Sequence, residues 1–283
     1  MSAALRDVDF QGSFIYQHDG RTDALRIFHQ GGSHERERLV SLTGGRGEII
    51  RNDGTITCVQ SDASTTLFAN RANEPLLPLV PDVRKLSAQY SIATAGVDRV
   101  AGYDARIVDI SPRDPYRYGY RLWLQQDNQL LLRSAVLDAA RRPLEQFMFV
   151  ALDIGAKPSE TDLLPTENIA GATSPTDEVQ VNTDLLWTVA GAPAGFRLVR
   201  VQRPVGAGGQ AEHLLYSDGI ASVSVYIEPQ PDSAQVTTES TIVRGVLSIH
   251  SRDAGGLRIT ALGDVPPATV QAMARNVRAS AGR

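Results

Sequence analysis

The chain has 283 residues, a net charge of -4 and 42% hydrophobic residues. That apolar content is globular, no run of about 18 apolar residues offers a membrane span, and the acidic balance gives no electrostatic case for nucleic acid. The length makes two domains the natural expectation.

In chain order, residues 3–16 (AALRDVDFQGSFIY) read as the end of a helix feeding a strand, as in a trimmed form from which an export signal has been removed. Strand runs follow at Phe10–His18, Ala24–His29, Glu35–Leu42, Gly47–Asn52 and Thr55–Ser61. Turn signals separate them: Asp19-Gly20, Gly31-Gly32, Gly44-Gly45 and Asp53-Gly54, the last a short-hairpin cue. Cys58, the only cysteine, lies in an alternating strand and reads as a small buried hydrophobe; one thiol makes no internal disulfide. Prolines break up the start of 75–90, and Pro81–Gln89 is expected to form a short helix. Strands resume at Tyr90–Gly96, Ala101–Ile110, Tyr116–Gln125, Leu130–Asp138 and Leu144–Asp153, with a short helical piece near Ser159–Leu164.

These runs predict an antiparallel meander of about ten strands, and a sheet of that size must curl, split or close. With little helix to cover it, a strongly curved half-barrel is expected. Alternation puts Phe10, Gly12, Phe14 and Tyr16 on one side of the first strand. It likewise puts Tyr118, Tyr120, Leu122 and Leu124 opposite Arg117, Arg121 and Trp123. The run from Phe147 to Leu152 is apolar on both faces. A large apolar concave face calls for a ligand or for a plug, which the helices at 1–8 and 81–89 would supply.

Residues 166–182 are rich in Thr, Ser, Pro, Gly and acid and read as a linker between a first domain (1–165) and a second (183–283). The second domain shows strands near Leu185–Val189, Phe196–Arg203, Ala211–Tyr216, Ile220–Glu228, Arg244–Arg252 and Leu257–Leu262. A polar loop is expected over 229–241. A helix over 265–280 has prolines at its start and an apolar stripe of Val270, Met273, Ala274 and Val277. The fold class is α+β: a large curved antiparallel half-barrel sheet with short helices, then a smaller antiparallel α+β domain with a C-terminal helix.

The stretch 213–229 (HLLYSDGIASVSVYIEP) holds a His, an Asp and several Ser, which raises the question of a hydrolase. Its period answers otherwise. Ala221, Val223, Val225 and Ile227 point one way and Ser222, Ser224 and Tyr226 the other, as in a half-buried strand. Ser217-Asp218-Gly219 is turn chemistry, and Ser217 lacks the strained elbow of a catalytic serine. Elsewhere, His29 and His34, with Glu35 and Glu37 beside them, match no metal-ligand pattern and read as solvated hairpin polarity. The glycines of 44–48 lack a phosphate-loop pattern, and Asp104, Asp109 and Asp138 are scattered. No cofactor or metal is expected, no catalytic residue is assigned, and an enzyme is disfavoured. Arginine far outnumbers lysine, which occurs only as Lys85 and Lys157. Genomic GC bias or bidentate grip on carboxylate or phosphate both account for that.

Three pieces resemble the MucB/RseB family of periplasmic regulators of the envelope-stress sigma factor: 11–20 (QGSFIYQHDG), 116–152 (YRYGYRLWLQQDNQLLLRSAVLDAARRPLEQFMFVAL) and the final domain. In that domain the matching stretches are 193–196, 213–229 and 245–277. The resemblance implies a first domain similar to the LolA/LolB lipoprotein carriers, whose half-barrel holds acyl chains. With the apolar strand faces, it makes Phe14, Tyr16, Leu122 and Phe147 candidate lipid-binding residues. It further implies a non-enzymatic periplasmic protein that binds the periplasmic part of a membrane anti-sigma factor, shields it from proteolysis and is released by lipid or lipopolysaccharide. The candidate partner surface is Tyr216, Ile220, Ser222, Ser224 and Tyr226, with Arg244, Arg252 and Arg258 on nearby strands to pair with the partner's carboxylates. A homo-oligomer is left open. Competing readings are a lipoprotein or lipid carrier, which needs only the first domain, and a periplasmic hydrolase.

Overall fold

The structure, a computed structural model, describes residues 7–45, 47–52, 55–60 (backbone alone), 86–166, 185–203, 211–230 and 239–280. The expected helices at 1–8 and 81–89, the Asp53-Gly54 turn, the burial of Cys58, nearly all of the 166–182 linker and most of the 229–241 loop fall largely or wholly outside the described residues.

The first domain is one ten-stranded antiparallel sheet. Its strands are β1 (Phe10–His18), β2 (Arg21–Gln30), β3 (Arg36–Ser41), β4 (Gly47–Asn52), β5 (Thr55–Gln60), β6 (Tyr90–Val100), β7 (Tyr103–Pro112), β8 (Gly119–Gln125), β9 (Leu131–Leu137) and β10 (Pro143–Ile154). The expected simple meander is corrected in one respect. The order is β5-β4-β3-β2-β1-β10-β9-β8-β7-β6, so two meandering arms join where β1 pairs with β10. The physical reason is burial. Both strands carry large apolar side chains, and the centre of the sheet is where Phe10, Phe14, Phe147 and Phe149 are best covered.

The sheet is curved and open, as a half-barrel requires. One apolar cluster gathers Ile49 of β4, Leu25 and Ile27 of β2, Phe14 of β1, Phe147 of β10, Leu122 of β8 and Tyr90 of β6. Strands far apart in the sheet share a core only if the sheet curls. The opposite face carries a smaller cluster of Val100, Ala105, Trp123, Leu132, Ala135 and Leu137. There the Trp123 indole donates to Asp98 (2.9 Å) and lies under the Arg133 guanidinium (4.2 Å). A 3-10 turn at Thr161–Leu163 answers the helical piece expected near 159–164.

The second domain has a six-stranded antiparallel sheet of β12 (Arg197–Gln202), β13 (Glu212–Ser217), β14 (Ser222–Pro229), β15 (Glu239–Arg244), β16 (Leu247–Ala254) and β17 (Leu257–Gly263), in the order β12-β13-β14-β17-β16-β15. The helix α1 (Pro267–Arg275) covers one face with Val270, Met273 and Ala274, all fully buried.

Two expectations there are corrected. The strand expected over Arg244–Arg252 begins later, as β16 from Leu247, because Gly245 turns the chain at φ +56 into a hairpin corner, and the end of the expected loop is the edge strand β15. The helix stops at Arg275, where the Asn276 side chain donates to the Ala272 carbonyl (2.9 Å). Residues Val277–Ala279 then form β18, paired with β11 (Trp187–Val189), which buries Val277 by a strand rather than by a helical turn.

Candidate partner-binding face and domain junction

The four lipid candidates come together on one face. Phe14, Leu122 and Phe147 are buried and Tyr16 packs against them half-buried. Ring centroids lie 4.8 Å apart for Phe14–Phe147, 5.8 Å for Phe14–Phe149 and 5.1 Å for Phe147–Phe149. In this arrangement they touch the protein's own side chains. The same face ends in a polar group that sequence reading misplaced. His29 is 2% exposed rather than solvated, stacks on Phe10 (4.7 Å) and lies 3.6 Å from Glu37, itself paired with Arg51 (2.6 Å). Alternation places His29 with Leu25 and Ile27 on the buried side of β2, a signal present in the sequence.

The partner candidates separate into three groups. Tyr216 is core: it is 5% exposed, and its hydroxyl accepts from the Val189 N–H (3.1 Å). Ile220 packs against the apolar cluster of the first domain. Ser222, Ser224 and Tyr226 lie on the outer face, away from α1, while Val223, Val225 and Ile227 are fully buried beneath it. On that outer face the His213 ring stacks flat on Tyr226 (4.2 Å, 6°) and bonds Ser224 (2.9 Å) and Gln202 (2.7 Å). Burial, then the Arg200 charge, lowers the His213 pKa and keeps the ring neutral at ordinary pH. Register places Leu215, Ser224, Leu262, Ile249 and Ile242 in one row across this face. The arginines do not converge. Arg244 is exposed at the end of edge strand β15, and Arg258 grips Asp253 with two of its guanidinium nitrogens (3.0 and 3.3 Å). Arg252 donates to the Arg275 carbonyl (3.4 Å).

The Ser217-Asp218-Gly219 turn, expected to serve as scaffold and partner-binding surface, is also the junction between domains. One Asp218 oxygen accepts from the N–H groups of Ile220 and Ala221 (both 2.9 Å), fixing the turn. The other accepts from the Arg117 guanidinium (2.5 Å) and the Tyr90 hydroxyl (3.0 Å) of the first domain. Both the Arg117 and Asp218 side chains are 0% exposed. Arg117 also holds Asp114 (2.5 Å) and the Ala194 carbonyl (2.5 Å) and lies over the Phe196 ring (4.7 Å). Burial pushes the Tyr90 hydroxyl far above its usual pKa, so it remains a donor. Thr269, at the start of α1, adds a bond to the Tyr116 carbonyl (2.7 Å). The signal in the sequence was Arg117 on the opposite face to Tyr118 and Tyr120, just before β8, where no strand pairing claims it.

Two family patterns match the chain: the MucB/RseB N-terminal domain over residues 1–167 and the MucB/RseB C-terminal domain over 181–278. The chain belongs to the MucB/RseB family. It is 32% identical to the sigma factor AlgU regulatory protein MucB of Pseudomonas aeruginosa, over 99% of this chain and 89% of that protein. It is 28% identical to the sigma-E factor regulatory protein RseB of Haemophilus influenzae, over 98% of this chain and 89% of that one. The crystal structure of MucB in complex with MucA(peri) superposes with a TM-score of 0.81 at 30% identity, covering 99% of this chain and 97% of that one. The crystal structure of MucB superposes with a TM-score of 0.66 at 30% identity, covering 99% of this chain and 95% of that one. Two-domain likeness at this level carries the MucB/RseB assignment across both the half-barrel and the small α+β domain.

Proposed function

We propose that this member of the MucB/RseB family is a non-enzymatic periplasmic regulator. It binds the periplasmic part of a membrane anti-sigma factor, shields it from proteolysis and releases it when lipid or lipopolysaccharide occupies the first domain. The observation that supports this reading is the likeness, over 99% of the chain and both domains, to MucB solved with MucA(peri).

The outer face of the second-domain sheet offers the partner an extended surface. Tyr226 and the row from Leu215 to Ile242 supply apolar contact, and edge strand β15 has backbone groups to which a strand can add. Arg244 is the exposed arginine nearest that edge, which makes association salt-sensitive. Tyr216 supports this face from beneath rather than touching the partner. The first domain takes acyl chains among Phe14, Tyr16, Leu122 and Phe147, where each methylene removed from water contributes about 0.8 kcal/mol. Its core must part to admit one.

The test is titration calorimetry of the anti-sigma factor's periplasmic part against the intact chain, with and without lipid, alongside a protease-protection assay. Binding that lipid weakens, with protection lost in parallel, supports the regulator. Lipid binding with no affinity for the partner would instead favour a carrier.

A further inference from the structure

We propose that the Ser217–Ala221 turn is a plug: the second domain inserts it into the apolar core of the first, and an acyl chain entering that core must expel it. The proposal rests on the lipid reading above and gives it a mechanism.

Three observations carry it. Ile220, at the tip of the turn, packs against the cluster that contains Phe14, Leu122 and Phe147. Tyr90 belongs to that same cluster and also donates to Asp218, so a shift of the core to make room for a chain moves a partner of the turn. The contact that holds the turn is an ion pair, Arg117–Asp218, with neither side chain exposed.

The choice of an ion pair bears on reversibility. A buried pair gives up most of its Coulomb attraction to desolvation, and both charges regain water when the domains part. An apolar contact of equal size has no such return. The pair itself therefore adds little net hold, and a ligand that prefers the open arrangement shifts the balance by the size of that preference. An acyl chain has that preference, because it needs the apolar surface that Ile220 covers. Expulsion of the turn also frees the loop at Ala194 and the start of α1, so the second domain, with its outer face, is no longer held against the first.

A disulfide tests this directly. A Cβ on Gly245 would stand 3.9 Å from that of Asp19, across the domain boundary and inside the span of about 3.5–4.5 Å that a disulfide bridges. The protein carrying Asp19→Cys, Gly245→Cys and Cys58→Ser is titrated with cis-parinaric acid, a fluorescent fatty acid, before and after reduction. The oxidised form should bind the probe at least about tenfold more weakly than the reduced form. Ile220→Ala and Asp218→Asn, the latter keeping an oxygen for the turn's own N–H groups, should bind it more tightly than the unaltered protein. Equal affinity of oxidised and reduced forms overturns the plug.

If no form binds the probe, the lipid reading fails, and the plug is judged by the rate of disulfide formation in glutathione buffer. Adding Asp218→Asn should slow it at least about tenfold, because the cysteines meet less often. An unchanged rate overturns the plug independently of any lipid.

Discussion

Arg203 and Glu212 pair across the β12–β13 end of the second domain, with the Glu212 carboxylate completely buried and 3.1 Å from a guanidinium nitrogen. The same carboxylate accepts from the backbone N–H of Leu186 and of Trp187 (3.3 and 3.0 Å), which ties the start of β11 to the main sheet. Glu212→Gln removes the charge and leaves one fewer acceptor for four donors, the two backbone N–H groups and two nitrogens of Arg203. Charge-assisted bonds of this kind contribute about 1.5–3 kcal/mol. Urea unfolding should show a loss of that order, and amide exchange at Leu186 and Trp187 should speed up. Unchanged protection at those two amides would show that β11 is held by Val189 and β18 alone.

Acid sensitivity follows from the carboxylates. Burial works to raise the Glu48 pKa, but hydrogen bonds from Arg38 and from the side chain and backbone of Thr166 outweigh it and hold the carboxyl below its usual value. Asp109 is held low chiefly by its hydrogen bond from Arg121, with Arg141 adding to it. A lowered folded-state pKa keeps the folded group ionised where the unfolded chain has already taken a proton. Its stabilisation is complete above the ordinary carboxylate range and is lost as the pH falls through the lowered value. His213 runs in the same direction at higher pH, since burial and then Arg200 lower its pKa. Denaturant midpoints should fall on acidification first near the ordinary histidine range and again below the carboxylate range. Glu48→Gln should flatten the second step; a step of full size in that variant would assign it elsewhere.

Two glycines are set by close backbone approach. A Cβ on Gly263 would come 2.2 Å from the Ser222 carbonyl oxygen, and one on Gly12 would come 2.5 Å from that of Ala151. Neither strand can yield without breaking its ladder. Gly263→Ala and Gly12→Ala should each cost about 1–3 kcal/mol or more, the first in the second domain and the second in the first. Domain-resolved amide exchange checks the assignment.

Strand positions were legible in the sequence because period-two alternation and Gly-containing turns are local. The ends of β1 and β4 match expectation, and Ala221, Val223, Val225 and Ile227 face the core as their spacing requires. The pairing of β1 with β10 was not legible, since it joins residues more than a hundred positions apart and depends on which strands need most cover. β18 was missed because Val277 continues the helical stripe, and only the partner strand β11 decides against a further turn. At the candidate site, the Ser222, Ser224 and Tyr226 face was readable from alternation. The roles of Asp218 and Ile220 were not, because a turn sequence shows how the chain reverses but not what the turn is pressed against.

The junction also governs what a nick does. Residues 166–182 lack periodicity and are polar, the composition of a preferred cleavage site, so limited proteolysis should cut there and yield two resistant fragments. The fragments should nonetheless stay together, because Arg117–Asp218, the Thr269–Tyr116 bond and the seat of Ile220 do not depend on the connecting chain. Gel filtration in native buffer should show one peak holding both fragments, and mild urea should separate them before either melts. Asp218→Asn leaves Arg117 buried opposite an amide, so the nicked variant should come apart in native buffer. Cleavage inside 116–152 with the 166–182 stretch intact would place the domain boundary wrongly. Nicked wild type that separates without urea would mean that the junction needs the covalent tether to raise its local concentration.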